Sequence, residues 1–228
     1  MSELLPVRRF ADEANDAAHS SLKAYFFPGA FTGSSFETFA QPGTNSFTPS
    51  DVVAVSMLSV NIPASVTRWI LGDGLAKLSE FLTNIDAGLR IESTKADLSN
   101  ESEAYKLWRE IRRPDNRWGM GETKTSKLLA TKRPDLFPVF DKHVSKALGI
   151  SANTYWAPWQ EFMRSSQGEY CSRVVQSYAD DLRIEGVSVL RLFDVIIWMR
   201  AHGHRYITQA AVDSKTVIPV SYADPVAP

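Results

Sequence analysis

The sequence predicts an all-α fold of about ten helices, on three observations. No stretch alternates apolar and polar residues as a half-buried strand would. Apolar residues recur instead at helical spacing, between Gly, Pro and Ser/Thr signals that start or stop a helix. Two such segments also meet at Gly119-Met120-Gly121, a short corner that suits two helices and no strand.

In chain order, Glu3 to Tyr25 reads as helix, with Leu22, Tyr25 and Phe26 packing at its end. Phe27 to Thr48 is rich in Gly, Pro, Ser and Thr, yet interleaves Phe31, Phe36, Phe39 and Phe47. Four phenylalanines need burial, so this is an ordered loop rather than a linker. Thr48-Pro49-Ser50-Asp51 is a helix start: a hydroxyl cap, Pro at the first position and an acid at the third. The helix it opens, Asp51 to Val60, is apolar on nearly every side and therefore central. Pro63 to Ile70 is helical, and Gly72-Asp73-Gly74 turns the chain into another helix, Leu75 to Thr83. Ser93 to Asn100 is a polar approach to the helix Glu103 to Arg112.

After the Gly-x-Gly corner comes a helix from Glu122 to about Lys132, stopped by Pro134. Phe137-Pro138-Val139-Phe140 links it to Asp141-Lys142-His143-Val144, where Asp141 caps the next helix. Ser151 to Ser166 is an aromatic helix, broken at Gln167-Gly168, and Glu169 to Leu182 an amphipathic one. Ser188 to His202 is the most apolar of all, with Gly203 where a C′ glycine belongs. Residues 1–215 form one domain, its hairpin about 103–133, and 216–228 an extended or disordered tail with three prolines from Val217 on.

Composition narrows the function classes. At 44% hydrophobic and 22% charged residues, the chain is an ordinary globular one. No apolar run approaches the ~20 residues of a membrane span, and no signal peptide opens the chain. One cysteine, Cys171, excludes internal disulfides and a four-cysteine iron–sulfur cluster, and fits a reducing cytoplasm. Four scattered histidines give no metal site, so neither metal nor cofactor is expected.

Charge is uneven. Between Lys106 and Lys146 eleven basic residues face five acids, a local charge of +6; the rest holds 14 basic and 21 acidic residues, or −7. That asymmetry suits a nucleic-acid footprint on one face; it also suits amphipathic helices with solvated basic faces. The Gly-x-Gly corner has two readings as well: a helix turn with a C-cap glycine, or a backbone anion site in which the second helix points its N-terminus at a phosphate.

The residues from Gly119 to Gly149 resemble the helix–hairpin–helix DNA glycosylases, the superfamily that includes endonuclease III and MutY. The matching pattern is Gly119-Met120-Gly121, Ser126-Lys127-Leu128-Leu129-Ala130, Phe137-Pro138-Val139-Phe140-Asp141-Lys142-His143-Val144 and Leu148-Gly149. The interval from hairpin glycine to aspartate fits without a gap. The resemblance implies two helical lobes around a cleft, with N- and C-terminal helices sharing one lobe. It makes double-stranded DNA the partner, with no membrane, and the protein a cytoplasmic monomer. Asp141 would be the catalytic carboxylate, with capping alone as its rival role. Gly119, Met120, Gly121, Thr123, Lys124, Lys127 and Lys132 would contact DNA, the lysines through phosphates or, failing that, on a solvated face. His143 would be structural.

Bifunctional members carry a nucleophilic lysine where this chain has Thr123, and Lys124 falls one residue late. The implied chemistry is therefore monofunctional base excision that leaves an abasic site, serving repair or defence against modified phage DNA. Alternatives are a non-catalytic DNA-binding module and a helical interaction protein. Trp118, Phe140, Tyr155 and Trp156 are candidates for a flipped-base pocket, or else core. Asp194 is the rival carboxylate, three residues after Arg191 and suited to a surface or half-buried ion pair. Ser188 to Asp194 also resembles a segment of a smaller bacterial family with the same hairpin, which carries no function with it.

Overall fold

The computed structural model describes residues 5–27, 30–113, 118–151 and 154–202, and among them every regular element is a helix. The elements are α1 (Leu5–Glu13), α2 (Asp16–Phe26), a 3-10 turn (Thr32–Ser35), α3 (Phe36–Phe39), α4 (Pro49–Met57), α5 (Ala64–Ile70) and α6 (Leu75–Thr83). Then follow α7 (Glu103–Arg112), α8 (Glu122–Ala130), α9 (Lys142–Leu148), α10 (Trp156–Arg164), α11 (Ser166–Asp181) and α12 (Val189–Ala201). Gly203, the tail and the turn 114–117 lie outside the described residues.

Side-chain caps set about half of the helix starts. Thr48 and Asp51 form a reciprocal capping box with Pro49 in the first turn, so α4 starts two residues before Asp51 and ends at Met57. The single helix expected over Glu3 to Tyr25 is instead two, because Asn15 leaves helical dihedrals and accepts a hydrogen bond from the Ala17 N–H. The break expected at Gln167-Gly168 falls at Ser165, which caps α11 through the Gly168 N–H. Gly168 lies inside the first turn, where an added Cβ would stand 1.9 Å from the Phe162 carbonyl oxygen. Glycine is there for close approach, not to end a helix.

Two large apolar clusters hold the molecule together. The first joins Phe10 of α1 and Leu22 of α2 to α9, α10, α11 and α12, so helices from both ends of the chain share it. Helix α12 is the most enclosed, with nine of its thirteen residues buried. The second cluster is built by α4 to α8 and includes Val55, Ile70, Leu78, Leu107 and Leu129. Trp156 packs against both. A small third cluster of Phe36, Ala54, Ala130 and Val139 bridges α3, α4, α8 and the link to α9. The Phe-rich loop thus does bury Phe36 and Phe47. The expectation that α4 is apolar all round is corrected: Val53 is exposed, while Asp51 is fully buried.

Candidate nucleic-acid interface

The hairpin corner is held by aromatic rings. Arg113 follows the last residue of α7 in left-handed conformation, and its guanidinium lies 4.1 Å from the Trp69 ring centre and 4.3 Å from that of Trp118. Trp118 donates its indole N–H to the Arg112 carbonyl at 3.1 Å and meets Trp69 edge-on. Trp118 therefore braces the corner, and it does not line the cleft that the other three aromatic candidates share. Only the first of the two glycines needs its freedom. Gly119 has φ +88°, and a Cβ there would press on the Pro63 ring at 2.8 Å. Gly121 has φ −88°, which any residue adopts, and a Cβ there would meet nothing within 4 Å. It caps α8 with no side-chain hydrogen bond, leaving first-turn N–H groups for another acceptor.

The side chains expected at DNA divide sharply. Thr123 is half-buried on the first turn of α8, and Lys124 donates to the Gly119 carbonyl at 2.9 Å, staying at the hairpin surface. Met120 is 5% exposed and belongs to the second cluster, so only its backbone can face a ligand. Lys127 and Lys132 are corrected: neither can reach a phosphate, being 4% and 0% exposed. Lys132 pairs with Asp51 at 2.5 Å and donates to Thr44 Oγ1. Arg133 is internal too, donating to the carbonyls of Ile85, Leu82 and Thr44. Three of the eleven basic residues of the segment thus serve the interior, and the sequence-level footprint overstates the surface charge.

Lys127 turns toward Asp141. Its amine donates to the Leu58 carbonyl at 2.9 Å and lies 3.7 Å from Asp141 Oδ2. Burial pulls its pKa below the usual lysine value, and the carboxylates of Asp141 and Asp194 oppose that only in part. Asp141 caps α9, its Oδ1 accepting from the His143 N–H at 2.8 Å, and its side chain keeps 17% exposure. The capping role read from the sequence is therefore present, beside a second relation to a buried cation. The His143 ring is exposed and lies 4.1 Å from that of His202.

Asp194 is not at the surface. It is 3% exposed and bonds Arg191, whose guanidinium also reaches Tyr25 Oη, the Gly33 carbonyl and Glu37. One carboxylate oxygen, Oδ1, has no hydrogen-bond partner. Burial pushes this carboxyl up to about 6 although the Arg191 charge pulls the other way.

Three of the four aromatic candidates come together. Phe140, Tyr155 and Trp156 line a cleft of about 610 Å³ between α7, α8 and the start of α10. Phe140 and Tyr155 are nearly closed off, Tyr155 donating its hydroxyl to the Val139 carbonyl at 2.7 Å; Trp156 is half-buried. Asp141 does not line this cleft. Glu122 and Ser126, a turn apart on α8, face it, while Lys127 on the adjoining face carries Asp141. Sequence reasoning missed Tyr105, Trp108, Arg109 and Arg112, which also line it. Their spacing on α7, three, four and seven residues from Tyr105, was the available signal.

These features define an all-helical protein with a glycine-cornered hairpin and a capping aspartate one helix further on. The model of a family of unknown function (DUF6308) matches residues 18–201, and the chain belongs to that family. No curated protein and no solved structure matches it. Among the described residues no group of three or more His, Cys, Asp or Glu could hold a metal ion, and no helix is long and apolar enough to cross a membrane.

Proposed function

We propose that the protein is a monofunctional DNA glycosylase of the helix–hairpin–helix type, excising a damaged or modified base and leaving an abasic site. The observation that carries this reading is the Asp141 carboxylate: 17% exposed, at the N-terminus of α9, and 3.7 Å from the buried amine of Lys127 on the helix that the hairpin launches. The two apolar clusters support it as two lobes, one shared by both chain ends, with the hairpin helix and Asp141 at their seam.

In this mechanism the α8 N-terminus and Lys124 hold a phosphate near Gly121 without reading sequence. The target nucleotide leaves the stack. As the base departs, positive charge grows on the sugar, and Asp141 stabilises it and orients a water for attack on the anomeric carbon. Lys127 positions Asp141 by charge. No amine stands at Thr123, and Lys124 falls one residue late on α8, so water is the nucleophile and no Schiff base forms. Repair of damage and attack on modified phage DNA both fit this chemistry.

The test is incubation with duplexes carrying a broad panel of damaged and modified bases, followed by alkali. Alkali-dependent strand breaks at one of those bases are expected. A second reading, a DNA-binding module without catalysis, is favoured by one observation: Asp141 lies outside the aromatic cleft and already has a capping bond and an ion-pair partner. No base release across the panel would leave that module as the better account. Gly121→Val tests the hairpin under either reading. The backbone tolerates it, so stability should change by less than about 1 kcal/mol, while the added bulk should cut duplex affinity about tenfold at matched salt. Undiminished binding would reduce the hairpin to a corner.

A further inference from the structure

The aromatic cleft stands apart from Asp141, and its chemistry is its own. Its floor is apolar, formed by the buried rings of Phe140 and Tyr155. Its wall is aromatic: Tyr105 stacks on Trp108 with ring centres 5.6 Å apart, and Trp156 meets Trp108 edge-on at 6.2 Å. Half-buried Tyr105, Trp108 and Trp156 thus offer π surface to whatever enters. At the mouth the charges do not balance. Arg112 lies 4.8 Å over the Trp108 ring and is neutralised by its ion pair with Glu122. Arg109 lines the same mouth, exposed, and makes no ion pair among the described residues. Asn100 adds an exposed side-chain amide.

We infer that this cleft binds a nucleotide, its base against Tyr105, Trp108 and Trp156 and its phosphate on Arg109. A volume of about 610 Å³ suits a ligand of that size. A planar π system gains from aromatic walls whatever its base identity, and a guanidinium fork matches a phosphate bidentately. An uncharged aromatic ligand would leave Arg109 unused, and an aliphatic anion would leave the rings unused. The inference does not rest on the glycosylase reading. The ligand is either a free nucleoside monophosphate or one nucleotide of an unpaired strand, which share this chemistry.

The full chain is titrated with the four deoxynucleoside 5′-monophosphates, with the matching nucleosides, and with a short single-stranded oligodeoxynucleotide, following tryptophan fluorescence and calorimetry with no duplex present. At least one monophosphate should bind with a Kd below about 1 mM, and its nucleoside about tenfold more weakly. Arg109→Ala, an exposed helix position that leaves the fold intact, should erase that difference. Tyr105→Ala should weaken monophosphate and nucleoside alike. Binding of the oligonucleotide alone, reduced about tenfold by Arg109→Ala, would assign the site to a strand and also supports the inference. Failure of both ligands to bind, or binding indifferent to Arg109→Ala, would overturn it. Because no base release is measured, failure of the glycosylase reading leaves this result untouched.

Discussion

Lys132 and Lys127 both turn inward from the hairpin's second helix and its exit, yet their carboxylate partners differ in what they have left to offer. Asp51, opposite Lys132, is fully enclosed, and besides the lysine it accepts from the N–H groups of Thr48 and Gln41 and from the Thr48 hydroxyl. Lys132 in turn donates to Thr44. Asp141, opposite Lys127, has one backbone donor, a cation at 3.7 Å and an open edge. The first pair is saturated and ties α4 to the exit of α8. The second retains acceptor capacity beside solvent, which a substrate or a water can use. Burying a charge costs least when its partners are complete, so of the two pairs the incomplete one is better able to take a further partner.

Breaking the saturated pair should have the largest effect. Lys132→Met strands the Asp51 charge in the interior and should cost about 3–5 kcal/mol of stability in urea unfolding. Lys132→Met combined with Asp51→Asn should recover part of that loss. A cost below about 1 kcal/mol for the single variant would mean that the pair is not what holds α4 to the exit of α8.

Next is Asp194, behind the Lys127 pair, whose folded carboxyl titrates near 6 against 3.8 ordinarily. Below the ordinary value both folded and unfolded chains are protonated there; between the two values only the folded chain holds the proton. Its contribution to stability is therefore present at low pH and lost as pH rises through about 6, by about 3 kcal/mol. Unfolding measured from pH 4 to 7 should show Asp194→Asn without that falling component. Identical pH profiles for parent and variant would refute it.

Asp141→Asn addresses the unsaturated pair directly. Asn caps a helix as well as Asp, so stability should stay within about 1 kcal/mol. Base release should fall at least ~100-fold, because the charge that stabilises the sugar cation is gone. Release at the parent's rate would remove Asp141 from the mechanism and leave it a cap. The smallest expected effect belongs to the lysine that stays outside. Lys124→Ala should lower the salt slope of duplex binding by about 0.9, and an unchanged slope would mean that it touches no phosphate.

Much of the fold was legible because its signals are local. Thr48, Pro49 and Asp51 mark a helix start within four residues, Gly119 marks the turn, and Asp141 the cap of α9. Asn15 carries no mark that separates its cap from the helical stretch around it, and Gly168 reads as a breaker because its reason is a neighbouring helix's carbonyl. The candidate site was legible in part. The spacing from hairpin to Asp141 is visible in the chain; the direction of each α8 side chain is not. Lys127 and Lys132 read as surface lysines because an amphipathic helix ordinarily turns lysines to water.

What the sequence by itself determined is most of the helices, the caps at Thr48 and Asp141 and the hairpin corner, since a cap or a turn is settled by hydrogen bonds and dihedral limits within about five residues. Only the tertiary structure decided which charges lie inside. The carbonyl that receives Lys127 comes from 69 residues away, and the hydroxyl that receives Lys132 from 88. Burial of a charge depends on every segment packed around it. No window of the chain contains them all, and so the same lysine that reads as a phosphate contact in its helix becomes, in the folded protein, the partner of a carboxylate.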